Sequence, residues 1–315
     1  MPMPLSKLLE IYVPLMSWTG LGWVLGRWLP ASVPRYLGLF LFWVGVPIGI
    51  VAFLRHTQLT KALWLAPVAA WGAILLSYGL ARLYLKVANH SLRPATQTSF
   101  QLASMVGNTG YIGFPVSLVL VGSPYFAWAV FYDMVGSTPG AYGLGVALAA
   151  RTQAAAGHDA PSSTPNNWQV LGTAMLLNPA LWSFTIGILA RDLPLPGWLE
   201  VGLRGTAWGV VAIALVLIGI RLSQVTSLKH VRLALMSLTI KMLIVPLLLG
   251  MILRALNLSH EIHRVILLQS AMPPAFATLV IAEAYELDQA LTVTTIAIGV
   301  VMLLLTLPLW LWVFP

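Results

Sequence analysis

Gly107-Asn108-Thr109-Gly110-Tyr111-Ile112-Gly113-Phe114-Pro115 interrupts an apolar run that extends from about 96 to 121. Glycine weakens a helix by about 1 kcal/mol and proline by about 3 kcal/mol. Proline does so because it lacks a backbone donor and clashes with the preceding turn. A second interruption, Ser270-Ala271-Met272-Pro273-Pro274-Ala275, lies in the run 260–284. Pro115 and Pro273 stand 158 positions apart in a chain of 315 residues, close to half its length. One such break reads as a packed proline kink. Two at corresponding places read as paired half-helices. In lipid they persist only where protein or a wet cavity satisfies the freed peptide groups.

Composition makes lipid the relevant solvent. The chain is 59% apolar and 8% charged, against roughly 25% charged in soluble domains. Its 17 Lys and Arg against 9 Asp and Glu leave a net charge of +8. These cations stand singly near the ends of apolar runs, where they anchor to headgroups. No basic run long enough to track phosphates exists, so no nucleic-acid partner is expected. The absence of cysteine excludes disulfides and thiolate chemistry.

A spanning helix needs about 20 apolar residues. Ten such segments fall near 5–28, 36–54, 62–85, 96–121, 124–150, 168–190, 198–221, 230–253, 260–284 and 289–312. The polar stretch 151–167, RTQAAAGHDAPSSTPNN, reads as a cytoplasmic linker. Five spans precede it (1–150) and five follow (168–315), so the second set enters the membrane inverted. The expected fold is an all-α polytopic membrane protein of ten helices in two inverted five-helix repeats, with broken helices 4 and 9 crossing at the midplane. With the N-terminus outside, nine Lys and Arg fall on inward loops and seven on outward ones. That count weakly favours two non-cytoplasmic termini.

The polar side chains near the breaks are Gln101, Asn108, Thr109, Tyr111, Gln269 and Ser270. Each is costly in lipid unless it faces protein or water. Asn178 precedes Pro179 in the sixth span, where it reads as a functional polar residue beside a helix breaker or as a helix-helix hydrogen bond. Ionisable residues lie within spans at Asp133, Lys241 and, near an end, Glu283. Asp133 and Lys241 read as a proton or ion relay, or as a structural pair. Half-helix N-termini aimed at one spot can hold an anion without a fixed cation. Of four Gly-x-x-x-Gly pairs, Gly22/Gly26, Gly45/Gly49 and Gly205/Gly209 suggest a rigid unit or a dimer contact, and Gly136/Gly140 suggests packing. His260-Glu261-Ile262-His263 lacks the four-residue His spacing of a zinc protease. No enzyme motif, metal site or cofactor site is expected.

Asn108-Thr109-Gly110-Tyr111-Ile112-Gly113-Phe114-Pro115 and the run Ala271–Asp288 resemble the auxin efflux carrier family. The family takes in bacterial organic-anion permeases and the plant PIN-formed carriers. Asn178-Pro179 and Gly45-Val46-Pro47 resemble its sixth and second helices. The resemblance implies a scaffold of spans 1, 2, 6 and 7 and a transport unit of spans 3–5 and 8–10. It also implies an elevator mechanism and a homodimer in the inner or plasma membrane. It assigns substrate binding to Asn108 and Asn178, with Val46 and Phe276 as apolar walls. Thr109, Gly110, Tyr111, Pro115, Gln269, Pro273 and Pro274 complete the expected site, with Asp133 and Lys241 as coupling candidates. Plant members read Pro-Gln-Gly where this chain reads Pro273-Pro274-Ala275, and the long plant loop is replaced by the short linker. A small organic anion, a carboxylate or an auxin-like molecule, is the expected substrate of a bacterial-type member. Two alternatives stand beside it: a sodium-coupled carrier of the bile-acid type, and a membrane receptor or sensor that moves nothing.

Overall fold

The computed structural model describes residues 5–30, 32–55, 57, 60–88, 92–155, 178–223 and 230–314, with the side chains of 5–12 and 15 left aside. The described chain is helical, and its one β-type pairing is an isolated antiparallel bridge. The first three helices are α1 (Leu5–Leu25), α2 (Val33–Leu54) and α3 (Lys61–Val87, opening with a 3-10 turn). The fourth apolar run forms two helices, α4 (Pro94–Met105) and α5 (Gly113–Leu120). Residues 126–155 form α6. Then come α7 (Pro179–Leu189), α8 (Gly197–Ser223) and α9 (Val231–Ala255). The ninth run also divides, into α10 (His260–Ser270) and α11 (Phe276–Ala284), before α12 (Gln289–Val313).

Five of these helices, α2, α3, α8, α9 and α12, are long and apolar enough to cross a membrane. The fourth and ninth runs fall short because the interruption halves each of them. Residues 168–177 of the sixth expected span lie outside the described residues. So does the expected linker from 156 on, while 151–155 continue α6.

The proline at the first break does not kink a helix. Pro115 is the third residue of α5, where backbone N–H groups have no intrahelical acceptor and the missing donor is tolerated. The chain leaves α4 at Val106 with φ −101° and ψ 110°. π-helical turns widen α2 at Leu41–Gly45, α6 at Tyr132–Ser137 and Gly140–Gly145, and α9 at Thr239–Ile244. Such turns cluster at functional sites. Here they carry Asp133 and Lys241, the two ionisable residues that the sequence places deepest.

Packing follows the small residues. A Cβ at Gly22 would lie 2.0 Å from the Val216 carbonyl oxygen, and one at Gly219 2.0 Å from that of Thr19. α1 and α8 therefore touch backbone to backbone. α2 packs on α7 and α8, whereas α3 packs on α4 and α6. α9 and α12 pack on each other and on α4, and α10 packs on α9. Polar side chains in this second set find partners across helices. Ser104 Oγ donates to Ser237 Oγ at 3.2 Å, and Trp310 Nε1 to the Met242 carbonyl at 3.0 Å. Phe53 and Phe114 both set their rings edge-on against Phe126, with centroids 5.6 and 5.3 Å away, joining α2, α5 and α6.

Candidate functional site

The two interruptions meet. Asn108 N–H donates to the Pro273 carbonyl at 2.7 Å, and Ala275 N–H to the Val106 carbonyl at 3.0 Å. Gly107 and Pro274 face each other between these bonds as an antiparallel bridge. Pro273 and Pro274 have no N–H to satisfy, so this link of α10 to α11 contributes acceptors there and few donors. Each break thus supplies partners for the groups that the other leaves open.

The loop 106–112 is also braced from within. Gly113 N–H donates to the Asn108 carbonyl at 3.0 Å and Phe114 N–H to that of Gly110 at 3.3 Å. The first donors of α5 are therefore occupied by carbonyls of the loop itself. α11 differs. Its N-cap is Ala275, without a side-chain cap, and Phe276 and Ala277 border the cavity described next.

That cavity has a volume of about 910 Å³. Asn108, Thr109, Gly110 and Tyr111 line it, joined by Val46, Asn178, Phe276 and Asp133. Eight of the thirteen expected site residues come together there. Pro115 lies instead beside a small apolar void with Val46 and Tyr111. Gln269 is fully buried between α10 and α5, its Nε2 donating to Ser117 Oγ at 3.3 Å. Pro273 and Pro274 form the bridge. Lys241 sits behind it, 2% exposed, its Nζ donating to the Ser270 carbonyl at 3.0 Å. A Cβ on Gly107 would come within 3.1 Å of that Nζ.

Asn108 is 4% exposed. Its Oδ1 accepts the Tyr111 N–H at 3.2 Å, which orients the amide, and its Nδ2 has no partner. A buried amide donor without an acceptor carries a desolvation penalty of about 1–3 kcal/mol, which a ligand oxygen would relieve. Asn178 is an N-cap: its Oδ1 accepts from Ala180 N–H at 3.0 Å, and Pro179 follows as the first residue of α7. Asp133 accepts the Thr109 hydroxyl. Asp133 and Lys241 form no ion pair, because the first is held by the loop and the second by the end of α10. Among the described residues no group of three or more His, Cys, Asp or Glu gathers as metal ligands do.

The cavity also has lining residues outside the expected set, and one of them bears on its charge. Arg221, in the last turn of α8, faces the cavity from the end of the seventh expected span, 198–221. The cavity wall thus holds a fixed cation, contrary to the expected site built from dipoles and amides alone. Charge within an apolar helix is a readable signal, but Arg221 falls at the span's edge, where anchoring is the default reading.

A family model described as membrane transport protein, the auxin efflux carrier family, matches residues 7–311. The chain belongs to this family. It is accordingly a membrane transporter, a multi-pass helical protein of a transport family rather than an enzyme family. No curated protein sequence matches the chain.

Proposed function

We propose that this transporter carries a small organic anion, an aromatic or auxin-like carboxylate, through the cavity at the paired breaks. The observation that carries the reading is the unpartnered Asn108 Nδ2, buried in the wall of a cavity of about 910 Å³. Tyr111, Tyr142 and Phe276 give that wall an aromatic character suited to a ring. Asn108 donates to a substrate oxygen, and the first turn of α11 adds a weak positive field.

The proposal extends to mechanism. α1, α2, α7 and α8 act as the scaffold, and α3 to α6 with α9 to α12 as the moving unit of an elevator, in ten spans of two inverted repeats with both termini non-cytoplasmic. Supporting this division, α1 and α8 pack backbone to backbone and α2 packs on α7 and α8. The cavity lies where the two sets face each other. Among the described residues, nothing lies within 4 Å of a Cβ added at Gly205 or Gly209. That face of α8 is the one the proposed homodimer uses.

Proteoliposomes test the reading. The native protein should take up labelled phenylacetate, independently of sodium, and Asn108→Ala should lose most of that uptake while keeping its melting temperature. Normal uptake by the folded variant would remove Asn108 from the site. Binding without counterflow would favour a receptor instead.

A further inference from the structure

The guanidinium carbon of Arg221 lies 4.0 Å from the ring centroid of Phe276, the residue that opens α11. On α2, a Cβ added at Gly38 would come within 2.9 Å of Arg221 Nη2. The guanidinium is therefore held between an aromatic face and bare backbone, neither of which engages its N–H donors in hydrogen bonds. Among the described residues, no hydrogen bond or ion pair engages it. The other charged groups that line the cavity do not compensate it. Arg35 and Glu283 are exposed, and Asp133 is buried on the Thr109 hydroxyl.

A guanidinium stacked on a ring presents its edge. That edge matches a carboxylate through two parallel N–H···O bonds. The Asn108 amide, by contrast, is a neutral donor that serves the oxygen of an acid or of an uncharged amide equally. Charge and shape are then read by different residues.

We propose that Arg221 is the specificity-determining residue of this cavity: its guanidinium edge takes the carboxylate and so selects an anion over a neutral molecule of the same shape. The inference rests on the reading of the cavity as the carrying site. It predicts a division of labour in which Asn108 sets affinity for both kinds of molecule and Arg221 sets the preference between them. Gly38 contributes by leaving room for the guanidinium.

Calorimetry on the full chain in nanodiscs, with phenylacetate and its neutral analogue phenylacetamide, tests this. The native protein should prefer phenylacetate about tenfold or more, as a charge-assisted bidentate contact allows. Arg221→Gln should erase the preference by weakening phenylacetate alone. Arg221→Lys, which keeps the charge without the fork, should fall between. Asn108→Ala should weaken both probes. Gly38→Ala displaces the guanidinium without deleting it, so it should also weaken phenylacetate alone and serves if Arg221→Gln does not fold. If Arg221→Gln weakens both probes equally, or neither, Arg221 does not select charge. If Asn108→Ala weakens both while the preference survives in Arg221→Gln, the inference falls and the carrying site stands. If the native protein binds neither probe, both fall together.

Discussion

Thr109→Val measures what holds the first interruption in place. Thr109 is 1% exposed and Asp133 8%, and the hydroxyl of the one is the side-chain donor to the carboxylate of the other. Asp133 Oδ2 also lies close over Gly110, where an added Cβ would stand 3.2 Å from it. Valine has nearly the volume of threonine, so the substitution opens no void. It removes the donor and leaves a buried carboxylate without it. A hydrogen bond to a charged group contributes about 1.5–3 kcal/mol, so Thr109→Val should lower stability by about 2 kcal/mol. Asp133→Asn keeps an acceptor on the hydroxyl and removes the charge, and should be milder. In the double variant the stranded charge is gone, so part of the loss should return. A coupling of about 1 kcal/mol or more is expected from residues in direct contact. Equilibrium unfolding in mixed micelles of all four proteins gives the cycle. If Thr109→Val stays within about 0.5 kcal/mol of the native protein and the two effects simply add, this bond does not hold the loop.

Three further outcomes follow from the same geometry. If Asp133 couples transport to protons, Asp133→Asn should abolish the response of uptake to an imposed pH gradient, and an unchanged response would make Asp133 structural. Gly219→Ala should destabilise by about 1–3 kcal/mol through overpacking, because its Cβ would stand 2.0 Å from the Thr19 carbonyl oxygen. Gly205→Ala should instead be neutral or gain up to about 1 kcal/mol in monomer stability through helix propensity, and equal melting temperatures for the two variants would contradict the packing of α1 on α8. Because the chain contains no cysteine, Ser137→Cys on the cavity wall should react with a soluble maleimide and be protected by phenylacetate, whereas Ser117→Cys, 1% exposed and away from the cavity, should not react; equal labelling would refute the cavity's accessibility.

Much of the architecture was legible because lipid punishes unsatisfied backbone so heavily. Glycines and prolines inside an apolar run had to mark a place where other groups step in, and 107–115 and 270–275 do meet. Asn108 was legible for the same reason, as a costly amide beside a break. Other features left no trace in the pattern. The π-helical turns that carry Asp133 and Lys241 arise from packing between helices, and Thr239–Ile244 reads like any other helical stretch. Gly22 and Gly205 have the same sequence spacing to their partners, yet among the described residues one meets Val216 backbone and the other meets nothing within 4 Å. Only the neighbour decides, and for Gly22 the neighbour lies about 200 residues away. Pro115 was read as the breaker, but the break precedes it and the proline merely opens the next helix. Arg221 was missed because position along a helix does not say which way an edge residue turns.

The two-bond joint between Val106–Asn108 and Pro273–Ala275 also bears on how such a carrier can diversify. Pulling the joint apart would strand peptide groups at several kcal/mol each in an apolar setting. The two loops are therefore held to each other as one frame. On the proposed function, a new cargo would be accommodated by cavity-lining side chains that project from the frame or stand opposite it, such as Tyr111, Phe276 and Arg221. On that proposal, substituting one wall residue would change selectivity while leaving the backbone frame intact.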